Sequence, residues 1–587
     1  MVKIFKHLKP TEWLLILASL LFIVAQVWLD LKLPDYMSEI TSYVQTEGST
    51  MSQIWEAGGF MLLCALGSLA ASVVVGFFAT RIAASFTARL RSMLFNKVES
   101  FSMAEINQFS TASLITRSTN DITQIQMIVT FGLQVLIKAP ILAIWAIVKI
   151  SGKSWQWTAT TAGAVGALLL FILIIGLVAL PKFRVIQSLT DNLNRVSREN
   201  LTGLRVVRAY NAEGYQEAKF EEANNNLTKA NLFTNRTMAG LMPFMMLIMS
   251  GLSLAVYWIG AYLIDQADMT DKIGLFSDMI VFSSYAMQVV MAFVMMTVVF
   301  IMMPRAAVAA GRINEVLDTE LSITDGSLSD HEVKEKGTVE FRNVSFKYPD
   351  SSDYVLQDIS FTAAKGETVA FIGATGSGKS TLINLIPRFY DATEGEVLVN
   401  GVNVKDYKQK SLHNKLGYVP QRNVLFSGNV TSNVAYGSNG KKHFSLAAVK
   451  KAVAIAQGTD FIEKMEEQYD SHVAQGGSNF SGGQKQRLSI ARAIYRNPEI
   501  YLFDDSFSAL DYKTDRVLRA ALKNETSNAT NLIVAQRIGT IMDADKIIVL
   551  DEGKMVGCGT HKELLKTCHV YQEIAFSQLS KEELENV

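Results

Sequence analysis

The residues with the clearest chemical potential form one run: Gly373, Ala374, Thr375, Gly376, Ser377, Gly378, Lys379, Ser380 and Thr381. They fit the spacing Gly-x4-Gly-Lys-Ser/Thr, with a β-rich stretch at 368–372 before them and a helical pattern at 382–386 after them. Strand, loop, helix is the setting in which this spacing cradles phosphate. Glycines let backbone N–H groups converge on phosphate oxygens where a Cβ would clash. The helix N-terminus adds the positive end of its dipole, Lys379 a point charge, and Ser380 a hydroxyl suited to magnesium. Far downstream, the apolar run 500–504 ends in Asp504, where a carboxylate near that magnesium is expected. Taken alone, Asp504 is equally a strand end capped by turn aspartates; the cradle upstream favours the metal role. The chemistry implied is binding of a nucleoside triphosphate with Mg2+.

The elements around this run fall into two unlike halves. The chain has 587 residues, 49% hydrophobic and only 19% charged, which excludes disorder and argues against a wholly soluble protein. Lysine plus arginine (55) balance aspartate plus glutamate (55), so no global charge points to nucleic acid. Cys64, Cys558 and Cys568 are too few and scattered for a disulfide framework or a zinc site. Six apolar stretches, near 13–33, 58–79, 127–150, 158–180, 238–264 and 275–303, each reach the roughly 20 residues a membrane-spanning helix needs. The first follows Lys3, Lys6 and Lys9 but exceeds a signal core of about 7–15 apolar residues, so it reads as a retained helix.

Charge sets the orientation. The first and last outer connections carry Asp35, Glu39, Glu47, Glu56, Asp265, Asp268 and Asp271, with Lys272 as a lone balance. The two long connections, near 80–126 and 181–237, are rich in lysine and arginine. Positive residues stay inside, which places both termini in the cytoplasm. Helical spacing persists through these connections, so the helices are expected to extend beyond the membrane. A polar stretch then reads as a linker, and short β-rich runs alternating with helical patterns follow. The expected organisation is a six-helix membrane domain at 1–317, a linker at 318–336 and an α/β nucleotide-binding domain at 337–587.

Between the cradle and Asp504 lies Asn479-Phe480-Ser481-Gly482-Gly483-Gln484, which resembles the signature motif of the ATP-binding cassette (ABC) family, usually Leu-Ser-Gly-Gly-Gln. The resemblance covers the chain and implies an exporter half-transporter: six membrane helices with long cytoplasmic extensions, fused to a P-loop domain of ABC type. It implies that Tyr348 stacks on adenine and that Gln421 contacts magnesium and senses the γ-phosphate. Ser481, Gly482, Gly483, Gln484 and Asp511 would complete the ATP site of a second chain. It further implies docking segments near 107–116 and 204–213. In that family two nucleotide-binding domains close head to tail over two ATP molecules, and hydrolysis releases them.

Two departures matter more than the matches. The residue after Asp504 is usually glutamate, which polarises the attacking water; here it is Asp505. Its carboxylate falls short by roughly 1.5 Å, one C–C bond, and a misplacement of about 1 Å can cost on the order of 100-fold in rate. The second is Gln536, where the family pattern has histidine. Glutamine hydrogen-bonds but carries neither the proton nor the charge available to imidazole. Both departures belong to the chain's own ATP site, and the parts lent to the opposite site are intact. That division resembles the degenerate-site subunit of heterodimeric bacterial multidrug exporters, with a consensus half-transporter as partner and a bacterial plasma membrane as location.

The cargo is less legible. Thirteen of the 23 methionines lie between Met238 and Met303, with Phe244, Trp258, Tyr285, Phe293 and Phe300 nearby. Methionine-rich surfaces accept varied amphipathic molecules, although the same side chains also face lipid or fill gaps between helices. Lys138 is either functional or close to the inner headgroups, and Asp30 and Asp278 are expected to meet water at outer helix ends. Alternatives from other classes are a homodimeric lipid or peptide exporter, an importer, and an ATP-gated regulatory subunit that does not pump.

Overall fold

The computed structural model describes residues 2–46, 48–152, 154–268, 271–329, 336–436 and 445–579. The chain divides into two compact units. One is Met1–Glu99 with Thr111–Asp318, the other Ser100–Ser110 with Thr319–Val587.

The first unit holds six helices long and apolar enough to cross a membrane: Pro10–Gln45, Met51–Glu99, Thr111–Ser151, Trp155–Thr202, Glu213–Gln266 and Lys272–Asp318. Each expected apolar stretch lies inside one of them. A helix of 48 residues such as Trp155–Thr202 is about 70 Å long, more than twice the roughly 30 Å of a hydrocarbon core, so these helices run well past the bilayer. The third helix is not regular. Two π-helical turns, Arg117–Asp121 and Gly132–Leu136, interrupt it. Beside the first, Arg117 donates to Glu315 at 2.7 Å and to the carbonyl of Arg312 at 2.8 Å, tying the third helix to the sixth.

Lys138, just after the second π turn, does not stand alone. It pairs with Asp30 of the first helix at 3.1 Å, and Asp30 also accepts from Ser68 of the second. The expectation that Asp30 simply meets water is thereby corrected. A lone ammonium in a membrane helix is costly, and adjacent helices supply the counter-charge. Tyr285 is likewise buried and donates to Leu31 and Asp35 on the first helix. The methionines divide: Met245 and Met279 sit in the core of this unit, whereas Met242 and Met246 are exposed. Met269 and the side chain of Phe300 lie outside the described residues.

The second unit is α/β. A six-stranded sheet runs in the order Lys554–Gly559, Lys546–Asp551, Thr368–Ile372, Thr530–Val534, Ile500–Asp504, Leu416–Val419, all parallel except the first pair. Its central strands read as unbroken apolar runs because helices cover both faces; all five residues of Ile500–Asp504 are buried. A four-stranded antiparallel sheet containing Val339–Phe346 and Leu356–Ala363 packs with the strands into one core.

Two local features differ from the sequence reading. The expected docking segment near 107–116 is not one helix: a short helix, Met103–Gln108, ends inside it, and Thr111–Thr116 already opens the third membrane helix. The cause is a capping box, in which Ser102 accepts from Ala104 N–H at 3.1 Å and Glu105 accepts from Ser102 N–H at 2.6 Å. This helix belongs to the second unit, where Asn107 donates to the Tyr390 hydroxyl at 3.0 Å. The stretch read as a linker is not free chain throughout. Gly326 N–H donates to the Tyr407 carbonyl at 3.0 Å, and a Cβ at Gly326 would lie 2.1 Å from the Asp406 carbonyl oxygen. Residues 330–335 of that stretch lie outside the described residues.

Candidate nucleotide site

Parallel strands deliver the site at their carboxyl ends, where open α/β sheets generally bind ligands. Ile372 and Val534 close adjacent strands, and Val534 stands in register with Asp504 on the next. The cradle 373–378 then leads into the helix Lys379–Leu385. Gly378 has φ +94°, and a Cβ there would lie 2.6 Å from Leu356; at Gly373 it would lie 2.0 Å from the carbonyl oxygen of Leu550. Only glycine is tolerated at such positions. Lys379 is buried and folded back on its own loop, donating to the carbonyls of Gly373 at 2.8 Å and Ala374 at 2.7 Å. Burial lowers its pKa, opposed by the charges of Asp505 and Asp504.

A cleft of about 260 Å³ gathers most of the expected residues. Thr375, Gly376, Gly378, Lys379, Ser380 and Thr381 line it together with Gln421, Asp505 and Gln536. Ser380 donates to Asp504 Oδ1 at 2.7 Å, so the hydroxyl and carboxylate expected at magnesium are adjacent. Burial pushes both Asp504 and Asp505 above the ordinary carboxylate range, and at Asp504 the neighbouring Asp505 adds to it. Among the described residues no group of three His, Cys, Asp or Glu side chains is placed to hold a metal. A divalent ion here would therefore take hard oxygen donors from Ser380 and Asp504 and complete its shell with nucleotide phosphate, the arrangement Mg2+ favours. Tyr348 stands beside the cradle, its hydroxyl 3.0 Å from Thr381 Oγ1 and its ring edge-on to Tyr390 at 5.3 Å.

The two departures from pattern meet each other. Gln536 Nε2 donates to Asp505 Oδ2 at 3.0 Å, and Gln421 Nε2 approaches the same oxygen at 3.4 Å. Asp505 itself takes φ +49°, a region that L residues other than asparagine, aspartate and histidine seldom enter. Its N–H is held by the Val534 carbonyl at 3.0 Å.

Ser481, Gly482, Gly483, Gln484 and Asp511 are not part of this cleft. Ser481 caps the helix Gly482–Arg496 in a capping box with Gln484, and Asp511 caps Tyr512–Glu525 by accepting from Thr514 N–H at 3.0 Å. Ser481, Gly482 and Asp511 are exposed. Two residues escaped the sequence reading. Gln486 is buried and joins this region to the first, donating to the Asp505 carbonyl at 3.4 Å and accepting from Ala509 N–H at 3.2 Å; its place in the signature helix was the available signal. Gln578, on the helix His569–Gln578, touches the backbone of Gln536, and no local pattern announces it.

Comparison with known proteins matches both halves of the chain. The family described as ABC transporter transmembrane region matches residues 15–322, and the family described as ABC transporter matches residues 356–508. An uncharacterized ABC transporter ATP-binding protein of Mycobacterium tuberculosis is 39% identical over 591 residues, covering 98% of this chain and 97% of its own. An ATP-dependent lipid A-core flippase of Pseudomonas syringae is 31% identical over 498 residues, covering 84% of this chain and 80% of its own. The fold is similar to that of a bacterial Atm1-family ABC exporter solved with ATP bound, with a TM-score of 0.77 over 96% of this chain and 99% of that one, at 24% identity.

Proposed function

The chain belongs to the ABC transporter family and is a multi-pass, ATP-driven exporter, and from that premise we propose that it is the slow-site half of a heterodimer moving amphipathic small molecules. The observation that carries this reading is the 3.0 Å hydrogen bond from Gln536 to Asp505. The amide is committed to the carboxylate, and the carboxylate is one methylene short of the usual reach. Neither residue is free to do what glutamate and histidine do at a consensus site: polarise a water and relay a proton. The cradle and the Ser380–Asp504 pair retain what nucleotide and magnesium binding require. ATP would therefore bind firmly here and be hydrolysed slowly.

The exposed signature edge supports the second half of the reading, because its serine and glycines would contribute to a different chain's ATP. So does the helix Leu204–Ala209, whose Val206 and following Tyr210 stand exposed, as a surface awaiting a partner would. The test is Asp505→Glu combined with Gln536→His in the intact assembly with the partner's own hydrolytic site inactivated, measuring steady-state ATP turnover. A rise of about tenfold or more is expected; no rise would overturn the slow-site reading.

A homodimeric lipid exporter is the second reading, favoured by the relative named a lipid A-core flippase. Transport of a fluorescent lipid in vesicles, against substrate-stimulated turnover with cationic amphiphiles, separates the two.

A further inference from the structure

The Gln536 loop is held from outside the site. Its residues 536–538 cross from the strand Thr530–Val534 to a four-residue helix, Ile538–Ile541, whose N-cap residue, Arg537, makes no side-chain capping bond to the helix. Gln578 supplies what is missing. Its Nε2 donates to the Gln536 carbonyl at 2.7 Å, and its Oε1 accepts from Ile538 N–H at 2.8 Å. One amide thus grips the backbone on both sides of Arg537. From the other flank Arg537 donates to the Ser508 carbonyl at 3.1 Å, and Ser508 Oγ donates to the Asp505 carbonyl at 3.0 Å.

We propose that Gln578 is a positioning residue for ATP hydrolysis, acting through Gln536: its amide clamp sets where the side chain at 536 stands relative to Asp505. The inference rests on the reading of Asp505 and Gln536 as the residues that occupy the hydrolytic positions of this site, where glutamate and histidine are usual. The physical reason is leverage. Gln536 is exposed and sits on a short loop, and among the described residues the hydrogen bond given for its side-chain amide is the one to Asp505. Displacements of about 1 Å at a reacting centre can cost on the order of 100-fold, and a two-point backbone clamp suppresses motion of that size. Gln578 itself is exposed and contributes little to the packed core, which separates positioning from folding. Gln572 offers the control: it tethers the same helix through the Leu565 carbonyl at 2.8 Å and does not touch the loop.

The experiment uses the full chain in its native assembly with the partner's own hydrolytic site inactivated, and Gln578→Ala and Gln572→Ala are each placed on two backgrounds. One is the double variant Asp505→Glu/Gln536→His, and the other is Gln536→Ala. Two readouts are taken: amide hydrogen exchange of the peptide spanning 536–541, and kcat and KM for ATP. Gln578→Ala should speed exchange there about tenfold and leave 373–381 unchanged. It should lower kcat about fivefold on the double-variant background with KM within twofold, and change nothing on Gln536→Ala, where the side chain it positions is gone. Gln572→Ala should leave kcat within twofold. Unchanged exchange, an equal loss on Gln536→Ala, an equal loss with Gln572→Ala, or unchanged kcat on a faster double-variant background would each overturn the proposal. If the double variant is no faster than the native chain, the slow-site reading fails separately. The native site is then a working one, and the same fivefold loss is required of Gln578→Ala in the native chain.

Discussion

Two edges of the nucleotide-binding unit, which in the proposed reading carry halves of two different ATP sites, are built differently. The cradle edge is tied together around the buried Lys379, Asp504 and Asp505: Lys379 on its own loop, Ser380 on Asp504, Gln536 and Gln421 on Asp505. The signature edge is exposed and made of helix caps, with Ser481 and Asp511 each satisfying the first turn behind it. The departures at the hydrolytic positions, Asp505 and Gln536, fall on the first edge, and the signature edge differs from the usual pattern by phenylalanine for leucine at 480. A side chain lent to another chain must keep the shape that chain needs, whereas a side chain serving its own site can drift once the other site does the hydrolysis. Gln486 shows that the edges are nonetheless connected, since it hydrogen-bonds to the Asp505 carbonyl from the signature helix.

Substitutions on either edge sharpen or break this contrast. The largest effect is expected from Lys379→Ala, which should abolish nucleotide binding at this chain's own site, read with a fluorescent ATP analogue under conditions where the partner's site is accounted for. Next, Ser481→Ala should lower turnover of the whole assembly by about tenfold while leaving binding at this chain's cradle unchanged; a loss of that binding would mean the edges are not separate. Asp505→Glu alone should raise turnover by less than about threefold, because Gln536 remains. Full speed from that single change would remove the role given to Gln536. The smallest effect belongs to Asp511→Asn. Asparagine caps a helix as well as aspartate, so the thermal midpoint should move by no more than about 1 °C, and any fall in turnover then reports the lost charge at the opposite site.

Much of this was legible because the chemistry is local in sequence. A phosphate cradle needs consecutive backbone N–H groups, so its residues are contiguous, and a run of about 18 apolar residues announces a membrane helix without help from its neighbours. What was missed depends on distance or rotation. Lys138 and Asp30 meet because two membrane helices turn particular faces to each other, which neither apolar run encodes alone. Gln578 and Gln536 are 42 positions apart and meet through a side chain and a carbonyl, which leaves no spacing to read. The first docking helix is a different kind of miss. Ser102 and Glu105 carry a capping box in plain view, whereas the segment near 107–116 comes from the family resemblance and not from the local residues.

The central claim is asymmetry: this chain keeps a slow ATP site and completes a fast one on a different chain. The most direct test is the native mass and composition of the assembly purified gently from its own host through a tag on this chain. The account predicts a one-to-one complex with a second half-transporter of similar size, whose sequence carries glutamate and histidine at the positions of Asp505 and Gln536. A complex of two identical chains would contradict it, and would make Asp505 and Gln536 the working residues of a symmetric ATPase.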